Sequence, residues 1–400
     1  MRRRAGDGVR VLYLIDSLAV GGAERSLADL APAYRERGVQ LTVAYLHERT
    51  GVRRELEAAA TVHSLAGAGG AVGAVWRAGR LVRASRPDLV HTTLFEADLV
   101  GRTAATLARV PAVSSLVNAA YGTEQARAPG LRRWKLRAAQ ALDAASASRV
   151  TRFHAISEHV ADVMAARLRV PRERIDVVPR GRDVAALGVR GPVRRDAARA
   201  ALGMGPGTPT VLAAARQEHQ KGLDVLLEAF PAVLAHAPGA RLVVAGRAGN
   251  QTPLLERTAA RLGLGSRVTF LGARVDVPEL LCAADVFVVP SRWEGLGSVL
   301  LEAMALETPI VASDLPAVRE IVADRVTALL VPPERPAALA KAVMTALADP
   351  AAAAERVRRA RQRFLERFTI DHVADEMIGF YRRALAGPRA RGHAGATARS

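Results

Sequence analysis

Cysteine is almost absent. Cys282 is the only one in 400 residues, which excludes an internal disulfide and gives no support to a cysteine-rich metal site. Its neighbours Leu280, Leu281, Ala283 and Ala284 are apolar, so it reads as a core thiol rather than a nucleophile. Lysine is nearly as scarce: Lys135, Lys221 and Lys341 are the only three, and every other basic residue is arginine. A lysine in a conspicuous loop therefore stands out. Aromatic residues make up only 4% of the chain. With no helix-turn-helix, zinc-ligand or RNA-recognition signature beside them, a nucleic-acid partner is not expected. No apolar run approaches the roughly 20 residues that a membrane-spanning helix needs. The start, Met1 to Arg4, is basic but lacks the apolar block and cleavage site of a signal peptide, so a cytoplasmic, soluble or peripheral protein is expected.

What is present is charge and rhythm. A formal net charge of +18 would attract anionic lipid or a phosphorylated substrate. Half of the residues are hydrophobic, enough for two α/β domains of about 150–200 residues each. Val9–Ile15 is an apolar run broken only by Arg10, as for a strand buried on both faces, followed by a helical stretch from Ala23 to Arg37 and a strand at Val39–Leu46. The alternation continues through strands at 88–92, 112–117, 151–155 and 174–178. Between Pro179 and Pro209 it breaks into glycine and proline, and then a second series opens at Thr210. Its strands fall at 241–245, 268–271, 286–289, 310–312 and 328–331. Such alternation predicts doubly wound parallel sheets. The expected units are a domain over 1–180, a linker over 181–208, a second domain over 209–370, a C-terminal helix over 371–386 and a disordered tail over 387–400.

In doubly wound sheets ligands sit at the C-terminal ends of the strands. Gly21-Gly22-Ala23-Glu24 follows the first strand at the start of a helix, where glycines let the backbone approach an anion. The dinucleotide spacing G-x-G-x-x-G is absent, and a Gly-Gly turn taken alone is more often structural than functional. Arg216 and Lys221 flank the loop after the first strand of the second series, where two cations suit a diphosphate leaving group, with two solvated surface cations as the equal alternative for the pair alone. The most specific segment runs from Ala284 to Ala305. A buried strand ends at Pro290, the turn Glu294-Gly295-Leu296-Gly297-Ser298 follows, and an apolar helix begins near Ser298. Gly295 and Gly297 leave backbone N–H groups for a phosphate. Glu302 lies about one helical turn further, roughly 6 Å along the axis, where a carboxylate reaches both ribose hydroxyls. Its apolar neighbours predict partial burial, and a carboxylate there needs a partner.

These residues carry a resemblance. The chain is similar to family 4 of the glycosyltransferases, retaining enzymes of the GT-B fold, in which two doubly wound Rossmann-like domains face each other across a cleft. The likeness runs from Val9 to about Leu385 and rests on Gly21–Glu24, Ser157-Glu158, Arg174–Asp183, Arg216 with Lys221-Gly222, Phe270–Gly272, Pro290-Ser291, and Glu294 with Glu302. It implies an acceptor-binding N-terminal domain and a nucleotide-sugar-binding C-terminal one. Arg216 and Lys221 would bind the donor diphosphate and Glu302 its ribose. Glu294, with the Gly295, Leu296, Gly297 and Ser298 backbone, would bind the transferred sugar and phosphate, and Gly21 and Gly22 would approach the same diphosphate. No Asp-x-Asp pair occurs in the sequence, which fits the family's metal-independent chemistry, with a UDP-, GDP- or ADP-sugar as donor and no further cofactor.

The chain departs from the pattern in two places. Val117 and Asn118 stand where many relatives carry a histidine, and the usual inter-domain Asn-Gly is Arg180-Gly181. His91, followed by Thr92-Thr93, is then the histidine best placed for catalysis, with an ordinary strand-end histidine as the equal alternative. The acceptor is expected to be a glycan, lipid-linked or polysaccharide hydroxyl. Two stretches, Trp76–Arg83 and Leu131–Arg137, mix tryptophan and aliphatic residues with cations, as a helix lying on an anionic bilayer would, although for each taken singly a solvated helix face with one buried side is the commoner reading. A GT-B sugar-nucleotide epimerase and a catalytically silent GT-B subunit share the same sequence pattern.

Overall fold

The computed structural model describes residues 8–121 and 133–387. The basic start Met1–Arg4, Leu131 and Arg132 of the second tryptophan-bearing stretch, and the tail from 388 lie outside the described residues.

The chain forms two compact units. The first runs to Gly181 and takes the chain back from Ile370, and the second is Arg182–Thr369. The sheet of the first unit is parallel, in the order β3-β2-β1-β4-β5-β6-β7. Its strands are β1 (Arg10–Ser17), β2 (Gln40–His47), β3 (Thr61–Ser64), β4 (Leu89–Thr93), β5 (Ala112–Leu116), β6 (Arg152–Ala155) and β7 (Ile175–Val177). The strand order reverses between β1 and β4. The helix Ile370–Ala386 packs against the helix Gly22–Glu36 and puts Val373, Met377, Phe380 and Tyr381 into the core beside Leu27, Ala31 and Tyr34. Each such side chain, fully buried, contributes roughly 1.5–3 kcal/mol of transfer free energy. Arg37 adds ion pairs to Asp371 and Asp375 at the rim of this contact.

The second unit holds a parallel sheet in the order β10-β9-β8-β11-β12-β13. Its strands are β8 (Thr210–Ala214), β9 (Arg241–Ala245), β10 (Val268–Gly272), β11 (Val286–Val289), β12 (Ile310–Ser313) and β13 (Leu329–Val331). Here the order reverses between β8 and β11. The segment 181–208, expected as a linker, instead belongs to this unit. Its helix Pro192–Ala201 packs on the helix Val277–Ala283, with Arg194 forked onto Glu279 at 2.7 and 3.0 Å and the buried Arg199 donating to the carbonyls of Ala283 and Gly205. Glycine and proline broke the periodicity there, but arginine contacts far along the chain hold the segment down. The short strand Thr61–Ser64 and the helices Val277–Ala283 and Pro316–Ile321 carry too few residues for a periodic signal, and the sequence did not reveal them. Cys282 is fully buried, as a core thiol should be.

Candidate functional site

The switch point of the second sheet lies between β8 and β11, so the loops that follow these strands are neighbours. The loop after β8 carries Arg216 and Lys221, and the loop after β11 carries Ser291 to Ser298. They meet directly: Lys221 Nζ donates to Glu294 Oε1 at 2.6 Å, and Ser291 Oγ donates to the same oxygen at 2.7 Å. Glu294 is buried, and both bonds fall on Oε1. Arg216, earlier in the loop after β8, is exposed.

Glycine makes the approach possible. Gly222 has φ +61°, and a Cβ there would stand 2.0 Å from the carbonyl oxygen of Pro290. Only a residue without a side chain lets the two loops close to this distance. Further contacts fix their register. The Arg292 N–H donates to the Gln220 carbonyl at 2.8 Å, Gln220 Nε2 donates to the Trp293 carbonyl at 2.9 Å, and the Arg292 guanidinium forks onto Asp224 at 2.9 and 2.7 Å. Burial would raise the Asp224 carboxyl, but the Arg292 fork outweighs it and holds the group below its ordinary value. Ser291, Arg292, Asp224 and Gln220 were not foreseen as site residues, since nothing in a lone serine or arginine marks it as the clasp between two loops.

Gly297 takes φ +84°, in the left-handed region, within the turn Gly295–Ser298, and Leu296 beside it is buried. Glu302 follows in the first turn of the helix Val299–Ala305. The partner its half-buried carboxylate needs is Arg182, whose Nε donates to Oε1 at 2.9 Å.

The first unit arranges its candidates differently. Gly21 precedes the helix Gly22–Glu36 with no side-chain cap. The Arg180 guanidinium lies against Gly22, where a Cβ would stand 2.5 Å from Nη1. The unusual Arg180 therefore comes back to the Gly-Gly turn. Glu24 is buried beside it, and burial pushes its carboxyl above the ordinary range.

His91 sits in the middle of β4 rather than at its end, and it is 1% exposed. Its neighbours define the proton positions. His154 Nε2 meets the Val178 carbonyl at 2.8 Å, and a carbonyl can only accept, so His154 donates from Nε2. Burial lowers the His154 pKa to about 4, so the ring is neutral and Nδ1 accepts the hydrogen of Ser115 Oγ at 2.8 Å. Ser115 Oγ must then accept from His91 Nε2 at 2.7 Å, and Tyr381 OH donates to His91 Nδ1 at 2.8 Å. The result is a one-way chain of hydrogen bonds, Tyr381 to His91 to Ser115 to His154 to Val178. Both nitrogens of His91 are engaged within the core, and burial drives its pKa well below the usual histidine value. His91 is thus an interior, mid-strand residue rather than a strand-end one, a difference that a sequence showing His-Thr-Thr after a strand cannot reveal. Val117 and Arg180 share with His91, Ser115 and His154 the lining of a small cavity of about 30 Å³.

Two family models divide the chain between them. Residues 20–186 match the model described as Glycosyltransferase Family 4, and residues 194–363 the model described as Glycosyl transferases group 1. The D-inositol 3-phosphate glycosyltransferase of Mycolicibacterium vanbaalenii is 33% identical over 330 residues, 78% of this chain and 70% of its own. The chain belongs to glycosyltransferase family 4. Its two doubly wound parallel sheets are those of the GT-B fold. The same-named protein of Segniliparus rotundus is 37% identical over 223 residues, 54% of this family 4 chain and 48% of its own, so the chain spans about half the length of that relative. Among solved structures, Anabaena HepE in complex with UDP-glucose superposes with a TM-score of 0.80 at 25% identity, covering 94% of this chain and 99% of the other.

Proposed function

We propose that this family 4 chain is a retaining glycosyltransferase that moves a sugar from a nucleotide diphosphate to a hydroxyl of a glycan, lipid-linked or polysaccharide acceptor. The observation that carries the reading is the meeting of Lys221 and Glu294 at 2.6 Å, on two loops at the switch point of the second sheet, with Arg216 exposed on the first of these loops. A cation pair at strand ends neutralises the diphosphate as it leaves, the electrostatic role that a divalent ion takes elsewhere. Arg216 and Lys221 take this role, and the chemistry is metal-independent.

Lys221 has a second task. By engaging Oε1 of Glu294 it leaves the other carboxylate oxygen for hydroxyls of the transferred sugar. Arg182 does the same for Glu302, whose remaining oxygen meets the ribose, and the Gly295, Leu296, Gly297 and Ser298 backbone meets the phosphate. The acceptor attacks the anomeric carbon on the face the diphosphate leaves. The departing phosphate oxygen takes the hydroxyl proton, and configuration is retained. The complex of HepE with UDP-glucose supports a nucleotide-sugar donor and puts UDP-sugars first among the UDP, GDP and ADP classes.

A thermal-shift series with UDP-, GDP- and ADP-linked sugars tests the donor assignment. A ligand at about 100 times its Kd stabilises by roughly 2.7 kcal/mol, so one class should raise Tm clearly above the others. The shift should vanish in Lys221→Ala and Glu302→Ala; unchanged shifts in both would remove the site. Turnover of the donor without an acceptor would instead indicate an epimerase, and binding without any turnover a silent subunit.

The acceptor side supports a peripheral position on the inner face of the cytoplasmic membrane. On the first unit the helix Gly70–Ser85 exposes Trp76, with Arg80 stacked over its ring at 4.9 Å, and the helix Arg133–Ala147 exposes Trp134, with Lys135 at 5.8 Å. Both helices pack on the same helix, Phe95–Ala108. Tryptophan beside cations suits the interface of an anionic bilayer.

A further inference from the structure

The second unit has a basin at the other end of its sheet. Thr208 and Pro209 run into β8, Asp285 into β11 and Pro309 into β12, and all four line one cavity of about 930 Å³. Because the strands are parallel, this is the edge away from Arg216, Lys221 and Glu294. A five-residue strand separates the two ends by about 17 Å.

Charge in the basin is unbalanced. Arg190, Arg199, Arg358 and Arg361 line it, against the carboxylates of Asp285 and Glu307. Asp285 is already engaged: Arg195 pairs with it, the Thr210 N–H donates to it at 2.8 Å, and Arg199 stands 3.4 Å away. Glu307 is 3.9 Å from Arg361. Arg190 uses one N–H each on the carbonyls of Glu307 and Ala284, at 2.6 and 2.8 Å, and forms no ion pair among the described residues. Three of its five N–H groups remain. Arg358 reaches Glu355 from the rim with a side chain that is 74% exposed.

We propose that this basin binds a small phosphorylated or otherwise polyanionic molecule. Guanidinium groups present paired N–H donors that match phosphate oxygens, and Arg190 and Arg358 hold theirs at the floor and the rim of one cavity. Leu347, Ala353 and Val357 supply an apolar wall for the uncharged body of such a ligand. The volume falls within the roughly 300–1,000 Å³ of small-molecule sites. Burial, with Arg195 beside it, pushes the Arg190 guanidinium below its ordinary pKa, a strain that a bound anion relieves.

The test uses the full chain carrying Arg216→Ala and Lys221→Ala, so that binding at the donor loops is removed, with inorganic pyrophosphate as probe in calorimetric titration at about 0.15 M salt. We expect one pyrophosphate bound per chain, an affinity about tenfold weaker once Arg358→Glu is added, and no measurable binding with Arg190→Gln. Arg358 is exposed, so its variant folds even if the Arg190 variant does not. Absence of binding, or equal affinity with and without Arg358→Glu, overturns the proposal. Vesicles of anionic lipid form the second arm: if Arg358→Glu weakens vesicle binding and leaves pyrophosphate unchanged, the arginines serve a lipid surface and the small-ligand site is wrong.

Discussion

Lys221 and Glu294 form a half-buried ion pair, and the two halves do not cost the same to remove. Lys221→Met leaves a buried carboxylate with Ser291 as its remaining partner among the described residues, and removing one member of a buried pair costs about 3–5 kcal/mol. Lys221 is 19% exposed on its side chain, so water repays part of this and about 2 kcal/mol is expected. Glu294→Gln keeps the shape and leaves the ammonium near solvent, so about 1 kcal/mol is expected. In transfer the order is different. Either change should lower kcat by on the order of 10²–10³, as when one preorganised group is lost. Urea midpoints and kcat measured together check this; equal activity with lost stability would mark the pair as structural. Both residues were legible in the sequence as members of separate loops. Their mutual bond was not, nor was the bond from Arg182 to Glu302, because each joins positions far apart in the chain and neither loop encodes the other's position.

At the scale of elements, the turn before the helix Leu223–His236 depends on one glycine. A non-glycine residue in the left-handed region costs about 1–2 kcal/mol, and at Gly222 a Cβ would also collide with the Pro290 carbonyl. Gly222→Ala should therefore cost more than 2 kcal/mol and should weaken donor binding by pushing the Lys221 loop away from Glu294. Alanine at Gly263, where no atom lies within 4 Å of the added Cβ, bears the backbone term alone and serves as the control. The helix Phe95–Ala108 carries a different liability. Its Asp98 is buried, bonded to Thr92 and 3.2 Å from Arg102, which also serves Asp143. Burial raises Asp98 to about 7 despite Arg102 and Thr92. A raised folded pKa means that its contribution to stability is complete below the unfolded value near 3.9 and is lost as pH rises toward about 7. Asp98→Asn should consequently gain on the wild type by up to about 1.4 kcal/mol per pH unit across that window. Urea denaturation at pH 4.5, 5.5 and 6.5 measures the difference, and a flat one would show that Asp98 ionises freely.

For the whole molecule, the doubly wound sheets were readable because buried parallel strands are continuous apolar runs separated by helical stretches, a pattern that Val11–Ile15 and Val286–Val289 both show. Membership of 181–208 in the second unit was not readable, since long-range arginine contacts rather than periodicity decide it. Net charge is the remaining whole-chain property, and +18 attracts an anionic surface over about one Debye length, near 8 Å at physiological salt. Attraction alone would be abolished by salt. Trp76 and Trp134 add apolar area that salt does not screen. Co-sedimentation with vesicles containing anionic lipid should thus fall steeply between 0.05 and about 0.5 M salt and level off at a residue that Trp76→Ala and Trp134→Ala together remove. Neutral vesicles should bind weakly throughout. Equal binding to neutral and anionic vesicles would end the membrane proposal, and binding that disappears entirely with salt in the unchanged protein would reduce it to charge without insertion of either tryptophan.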